Sequence, residues 1–476
     1  MELITIILVA FVLVLSIILR SVDVLRFYAF GSDTFGNLLY SKWLGDSSFN
    51  LYKVGRIVYP PFLPKLLYHL QRRLSLRLLH LIPKIFDLLT SLAVFLFTLW
   101  LSGSEFIAFL ALLFYTFSPV NVISAWGIST RNIGSFFLMF TLFTSYVAIA
   151  NTNVRYIMPL LAIVSGTLMM LTSRIAYKSY YIIVVATVIL WPIKIQFSMF
   201  LLIAVLSSIL CLLITKRGFI DQLKEQIFLI NYFKNRRKEK GKKESMWKQI
   251  TVKFDIFKFD LWWIAGVLAF IYSVSTHSLN DFNLFLSTWL FTIIALSFLW
   301  PWGEGERHIM LGTAPASILA ASYLSEQPLI IIPFLAVETF IIARRSLLLL
   351  KGKDLVSVDR HLLKFFNTMK ETMGESLILC LPPVYSFTVA YLTEKKVLFG
   401  DGASQEGIHF QSKVIDSTKT EKDMEELVEK YSVTHLFVDK NHFPLSISSN
   451  KWEPVLHEEN FIVLRRKDGK NFNYYY

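Results

Sequence analysis

GSDTFGNLLYSKWLGDSSFNLYKVGRIVYPPFLP, residues 31–64, lies between two apolar runs, Leu3–Leu19 and Leu81–Leu101. It carries an early acid, Asp33, a second acid, Asp46, an aromatic-rich middle and a Tyr59-Pro60-Pro61 turn. The stretch is too polar to cross a bilayer and too rich in Phe, Tyr, Trp and Leu for a plain solvated loop. Amphipathic rings and short helices of this kind are stable at a membrane interface. The expectation is an interfacial first loop over residues 20–83, held above a membrane-embedded cavity.

The flanking runs set the class of the chain. Of 476 residues, 54% are hydrophobic and 17% charged, against roughly 25% charged in an average soluble domain. The apolar residues fall into runs of about 15–20, the length a helix needs to cross the hydrocarbon core. The chain reads as a polytopic α-helical membrane protein. Spans are expected at Leu3–Leu19, Leu81–Leu101, Glu105–Val120, Gly134–Ala150, Tyr156–Leu171, Tyr180–Trp191, Phe197–Thr215, Leu261–Ser275, Leu284–Trp300, His308–Leu324 and Pro328–Ala343, about eleven in all. The first lacks a basic start and a small-residue cleavage site and reads as a retained helix, not a signal peptide.

Residues 216–258 hold thirteen Lys and Arg against five Asp and Glu, a net +8 of the chain's +13. Flanked by spans, this basic segment suits anionic lipid and gives no support to nucleic-acid binding. Counting spans from a cytoplasmic Met1 places the opening loop, the polar connections, the basic segment and the C-terminal part outside. The positive-inside rule opposes that placement for the basic segment alone.

After Lys351 the pattern changes. Short apolar strands at Leu377–Leu381, Val433–Val438 and Phe461–Leu464 flank a helix that Thr420 would cap and that runs to Tyr431. Strands alternating with helices predict a small α/β domain. The expected division is a membrane domain, 1–350, and a soluble domain, 351–476. The two cysteines, Cys211 and Cys380, form no disulfide or metal pattern, and no P-loop, GxGxxG or HExxH motif appears.

Asp33 is the first candidate for chemistry. A carboxylate at the membrane face could serve as general base towards a hydroxyl, although Ser32-Asp33-Thr34 is also an attractive helix start. Asp46, after Gly45, reads as a turn residue and a second candidate acid. Arg56 and Tyr59 would position the loop, because proline restricts the residues before it. Arg131, Arg174, Lys178 and Arg307 lie in polar connections close to apolar spans, with Glu304 and Glu306 beside Arg307. Charges there are costly, and an anionic group or a polar cavity is a common reason to keep them. Each could also snorkel to headgroups. Asp87 and Glu338 are acids inside spans, explained equally by helix–helix hydrogen bonds and by function.

Taken together, SDTFGNLLYSKWL with YKVGRIVYPPFLPKLL, IPKIFDLLTSLAVFLF, LLFYTFSPVNVISAWGISTRNIGSFFLMFTLF and GERHIMLGTAPASILAASYL resemble successive segments of the GT-C superfamily of membrane glycosyltransferases. The third resembles the GPI-mannosyltransferase branch, the fourth the protein-mannosyltransferase-like branch. The first segment departs from the acidic pair common in that family, since Thr34 and Phe35 follow Asp33.

The resemblance implies inverting transfer of a hexose, with mannose the family's suggestion, from a polyprenyl-phosphate-linked donor. The acceptor would be a glycan, lipid or protein at the outer face of the plasma membrane. Asp33 would be the base, and Arg307, then Arg174 or Lys178, would stabilise the leaving phosphate. A divalent metal is the one cofactor left open, and no nucleotide cofactor is expected. Two other readings use the same features: a lipid-linked glycan flippase, and a non-catalytic assembly subunit.

Overall fold

A computed structural model describes the chain except for residues 1, 28, 47–50, 55–59, 152–153, 155, 191–197, 217–218, 225–226, 228–230, 232–259, 279, 300–307, 352–356, 400–420, 442–450 and 468–476. It consists of two compact units. The first is Met1–Leu25, Pro60–Phe62 and His80–Lys353; the second is Arg26–Tyr59, Leu63–Leu79 and Asp354–Tyr476. Helices and strands are numbered below in chain order through both.

The first unit is helical. Its elements are α1 (Leu3–Arg20), α2 (Val22–Arg26, mostly within it), α6 (Leu81–Ser102), α7 (Glu105–Thr116), α8 (Pro119–Ser124), α9 (Thr130–Ala150), α10 (Ile157–Thr172), α11 (Arg174–Leu190) and α12 (Ser198–Thr215). After the basic segment come α13 (Leu261–Ser275), α14 (Asp281–Leu299), α15 (Thr313–Leu324, preceded by a 3-10 turn from Ile309) and α16 (Pro328–Leu350). Within the described residues each expected apolar run is therefore mainly helical. Among the described residues four helical stretches are long and apolar enough to cross a membrane: Leu3–Arg20, Leu76–Ser102, Thr130–Ala150 and Ser198–Thr215.

The outward faces are apolar. On α1, Ile4, Ile7, Phe11, Val14 and Ile18 are all exposed. In water such a face would be an aggregation hazard; in lipid it is the solvent-facing side. The inward faces pack through small residues and hydroxyls, as membrane helices do where lipid supplies no hydrophobic drive to association. Thr141 Oγ1 and Ser165 Oγ, on α9 and α10, share a hydrogen bond of 2.9 Å.

Two boundaries differ from expectation. TSRIAYKS, read as a connection, is helical from Arg174, so α11 begins six residues before the expected span. The polar NVISAWGISTRN contains α8 and the start of α9. Here Ser118 and Ser129 cap the two helices, accepting from the amides of Asn121 and Arg131. Polar residues at a helix start satisfy its orphan N–H groups, so polarity did not mark a loop.

The second unit is α/β. Its elements are β1 (Ala29–Phe30), α3 (Ser32–Gly45), β2 (Tyr52–Val54), α4 (Phe62–Leu70), α5 (Leu76–Leu79), β3 (Ser357–Val358), α17 (Arg360–Thr372), β4 (Leu377–Leu381), α18 (Ser386–Thr393), β5 (Lys396–Phe399), α19 (Glu421–Tyr431), β6 (His435–Asp439), β7 (Trp452–Glu458) and β8 (Phe461–Arg466). The six-stranded sheet runs β2-β5-β4-β6-β8-β7. Its first four strands are parallel, and β8 and β7 complete it antiparallel. Strands β4 and β6 are buried throughout, as parallel strands covered on both faces must be.

This sheet moves the domain boundary. The opening stretch was expected with the membrane domain, but β2 adds to the sheet edge, Tyr52 opposite Val397, and β1 pairs with β3, Ala29 opposite Val358. Phe35 and Leu39 of α3 are buried in one core with Phe365, Phe387 and Phe437. Gly36 lets α18 come close, since a Cβ there would lie 3.3 Å from the Phe387 ring. The described aromatic face of α3 thus packs on an α/β core, where an interfacial loop was expected. A ring that is half polar in context suits either environment, and only the non-local strand pairing decides between them. Thr420, the expected cap of α19, lies outside the described residues.

Candidate functional site

Basic side chains at two helix starts form the candidate site. Arg131 is the second residue of α9 and Arg174 the first of α11, with Lys178 one turn later on the same face; all three are half-buried. The helices meet at this end. A Cβ on Gly134 would fall 2.2 Å from Ser173 Cβ and 3.2 Å from Ala176 Cβ, so only glycine allows the approach. Neither helix has an acid in its first turn. A helix N-terminus carries partial positive charge and favours anions there. Three cations thus stand at two adjoining helix starts, and a guanidinium is a side chain that can hold phosphate oxygens bidentately. Next to Lys178 in the chain, the buried Ser179 Oγ lies 2.8 Å from His308 Nδ1, which ties the segment after residue 307 to α11.

Asp33 belongs to the second unit. It stands at the second position of α3, half-buried, in a first turn whose polarity favours a carboxylate. It does not cap the helix. The cap position is Gly31, at φ 86°, and no side chain caps there. Asp46 ends α3 in an extended conformation and is exposed. Arg56, Tyr59, Glu304, Glu306 and Arg307 lie outside the described residues. Among the described residues, no three His, Cys, Asp or Glu side chains converge as a bound metal would require.

Sequence reading missed a buried ionic network that joins α1, α2, α6, α7 and α9. Asp87 pairs with the Arg20 guanidinium and accepts from Tyr115 OH at 3.0 Å and Asn132 Nδ2 at 3.1 Å. Arg20 also donates to the Thr116 carbonyl at 3.2 Å. Close by in sequence, Asp23 takes Lys84 Nζ at 3.0 Å and the Gly127 amide at 3.0 Å, with His80 Nδ1 at 3.5 Å. Lys84 donates further to the carbonyls of His80 and Ala125. Two anions and two cations cancel, every one of them buried. Such pairs fix helix register more than they add stability. His80 and Lys84, one turn apart at the head of α6, were the available signal. The acids at 23 and 87 are therefore spent on internal cations.

A sequence profile of the GPI transamidase subunit PIG-U family matches residues 3–302. No curated protein sequence matches the chain. Among solved structures, the chain is similar to the Archaeoglobus fulgidus oligosaccharyltransferase in its apo form, with TM-score 0.61 and 13% identity over 90% of this chain and 69% of that one. The same archaeal enzyme, AglB, matches in complex with an inhibitory peptide and a dolichol-phosphate at TM-score 0.57, with 13% identity and the same 90% and 69% coverage. With an acceptor peptide tethered by a disulfide it matches at TM-score 0.58, again 13% identical over 90% and 69%. The likeness is one of fold, a GT-C-like membrane architecture. By the extent of the profile match, the chain belongs to the PIG-U family.

Proposed function

We propose that this member of the PIG-U family is a membrane glycosyltransferase that moves a hexose from a polyprenyl-phosphate-linked donor to an acceptor hydroxyl. The observation that carries the reading is the cluster of Arg131, Arg174 and Lys178 at the adjoining starts of α9 and α11. It suits a lipid phosphate, an anion delivered from the bilayer itself.

In this reaction Asp33 takes the proton of the acceptor hydroxyl as its oxygen bonds to the anomeric carbon. The bond from that carbon to the phosphate oxygen breaks on the opposite face, so the configuration inverts. The leaving group departs as a polyprenyl phosphate and needs charge stabilisation more than a proton. Arg131, Arg174 and Lys178 supply it, with Arg307 as a further cation from the segment before His308. The reading places the reaction at the outer face of the plasma membrane, with mannose the first hexose to test.

Family membership favours a second reading, a non-catalytic subunit that holds a lipid-anchored glycan for a transamidase. Both readings need the anion site, and they part at Asp33. Binding of a short-chain polyprenyl phosphate to the detergent-solubilised protein tests the shared part. Arg174→Gln should weaken binding about tenfold or more, the scale of one charge-assisted pair. Affinity unchanged from wild type in both the Arg174→Gln and Lys178→Gln proteins would count against the site.

A further inference from the structure

We infer that Asp260 and Glu338 together form a binding site for one proton within the helical unit. Asp260 is the N-cap of α13, its Oδ1 accepting from the Trp262 amide at 3.1 Å. Glu338, ten residues into α16, directs Oε1 to the Leu261 amide at 2.5 Å. Both side chains are fully buried, and the two carboxylates accept from consecutive amides, Leu261 and Trp262, so they lie side by side at the start of α13. Among the described residues, Asp260 Oδ2 and Glu338 Oε2 have no hydrogen-bond partner within 3.5 Å, with the Ser118 hydroxyl the nearby polar group on the Asp260 side.

Among the described residues, no cation is recorded beside the two acids. Against α13 and α16 pack α8, which has no charged residue, and α15, whose one ionisable group is Tyr323 in the last turn. Helix α14 offers Asp281 in its first turn, and α7, whose Phe114 stacks on Trp262, offers Glu105 in its first turn and Tyr115, which is bonded to Asp87. On their own helices the ionisable groups are Tyr272 near the end of α13, and Arg344 and Arg345, six and seven residues beyond Glu338. Neither arginine pairs with the acids. The α13 N-terminus stabilises about one negative charge. Two adjacent buried carboxylates cannot both ionise, so one proton lies between the orphan oxygens. It converts two unpaired acceptors into one hydrogen bond and links α13 to α16.

Glu338→Gln copies the protonated acid without its titration. If the folded pair keeps a proton that unfolded chains release, rising pH destabilises the wild type relative to the variant. The ratio of their folding constants should shift about tenfold per pH unit between about pH 5 and about pH 7. Groups common to both proteins cancel in this comparison. A ratio independent of pH would overturn the proposal. Stabilisation of the wild type but not the variant by added Mg²⁺ or Ca²⁺ would also overturn it, assigning the site to a metal. Should the variant fail to fold, the infrared spectrum of the wild type at neutral pH decides. A protonated-carboxyl band that Asp260→Asn removes supports the site, and absence of that band from the wild type refutes it.

Discussion

Arg20 and Asp87, 67 positions apart in the chain, form an ion pair in which neither side chain keeps more than 1% of its surface. The pair joins the end of α1 to the first turns of α6. Through Tyr115 and Asn132 it also reaches the end of α7 and the start of α9. Removing one member leaves the other charge buried without its partner. Arg20→Met should therefore cost about 3–5 kcal/mol, while Arg20→Met with Asp87→Leu should recover most of that loss. Denaturation of the single and double variants in detergent measures both. Losses that simply add would mean the pair is not coupled.

The contact of Gly134 with Ser173 sets how near α9 and α11 begin. Gly134→Ala forces a methyl group into a gap that holds the Ser173 side chain, at a cost of about 1–3 kcal/mol. Because the same contact brings Arg131 and Arg174 to neighbouring helix ends, polyprenyl-phosphate affinity should fall together with stability. Ser173→Gly in the Gly134→Ala background should restore part of both. A Gly134→Ala protein with unchanged affinity would separate helix packing from the anion site.

In the α/β unit two groups titrate in opposite company. His435, beside Thr434 Oγ1 at 2.9 Å, is pushed down to about 4 by burial and by the nearby Arg465. A histidine depressed in the folded state stabilises above its unfolded pKa of about 6.5, and that contribution is lost as pH falls towards about 4. For Glu394, burial raises the pKa, but Lys370 at 2.8 Å and Lys42 at 3.1 Å outweigh it and hold the carboxyl below its usual range. Its contribution is present above about pH 4.3 and disappears only below that. Hydrogen exchange of the β4 and β6 amides in the full chain, corrected for intrinsic rates, should lose protection between about pH 6.5 and about 4.5. His435→Gln should flatten that loss, and Glu394→Gln should leave its shape unchanged.

Much of the fold was legible because its signals are local. Within the described residues each apolar run became mainly helix, and Leu377–Leu381 was read as a strand to the residue. What escaped was set by distant partners. Nothing near Ala29 or Tyr52 announces strands completed by Val358 and Val397, so the opening stretch was assigned to the wrong unit. The amphipathic α17 was not among the expected elements, although Asp359 caps it and its apolar residues recur at helical spacing. At the candidate site Arg131, Arg174 and Lys178 were visible as costly charges, but their place on helix starts was hidden by the polarity of the capping residues. Asp87 stood out within its span; its partner Arg20, 67 positions away, was not connected to it by any local signal.

The central claim is that Asp33 is a base in glycosyl transfer. Its most direct test is transfer of labelled hexose from a polyprenyl-phosphate donor to lipid and glycan acceptors in proteoliposomes, comparing wild type with Asp33→Asn. The side chain is half-buried in a first turn, so the amide should keep the fold within about 1 kcal/mol. The account predicts transfer by the wild type, a loss of about 10²–10⁴-fold in the variant, and donor-lipid binding unchanged. Full activity in a folded Asp33→Asn protein would contradict it. So would a wild type that binds the lipid phosphate and transfers nothing, and that result would favour the non-catalytic subunit.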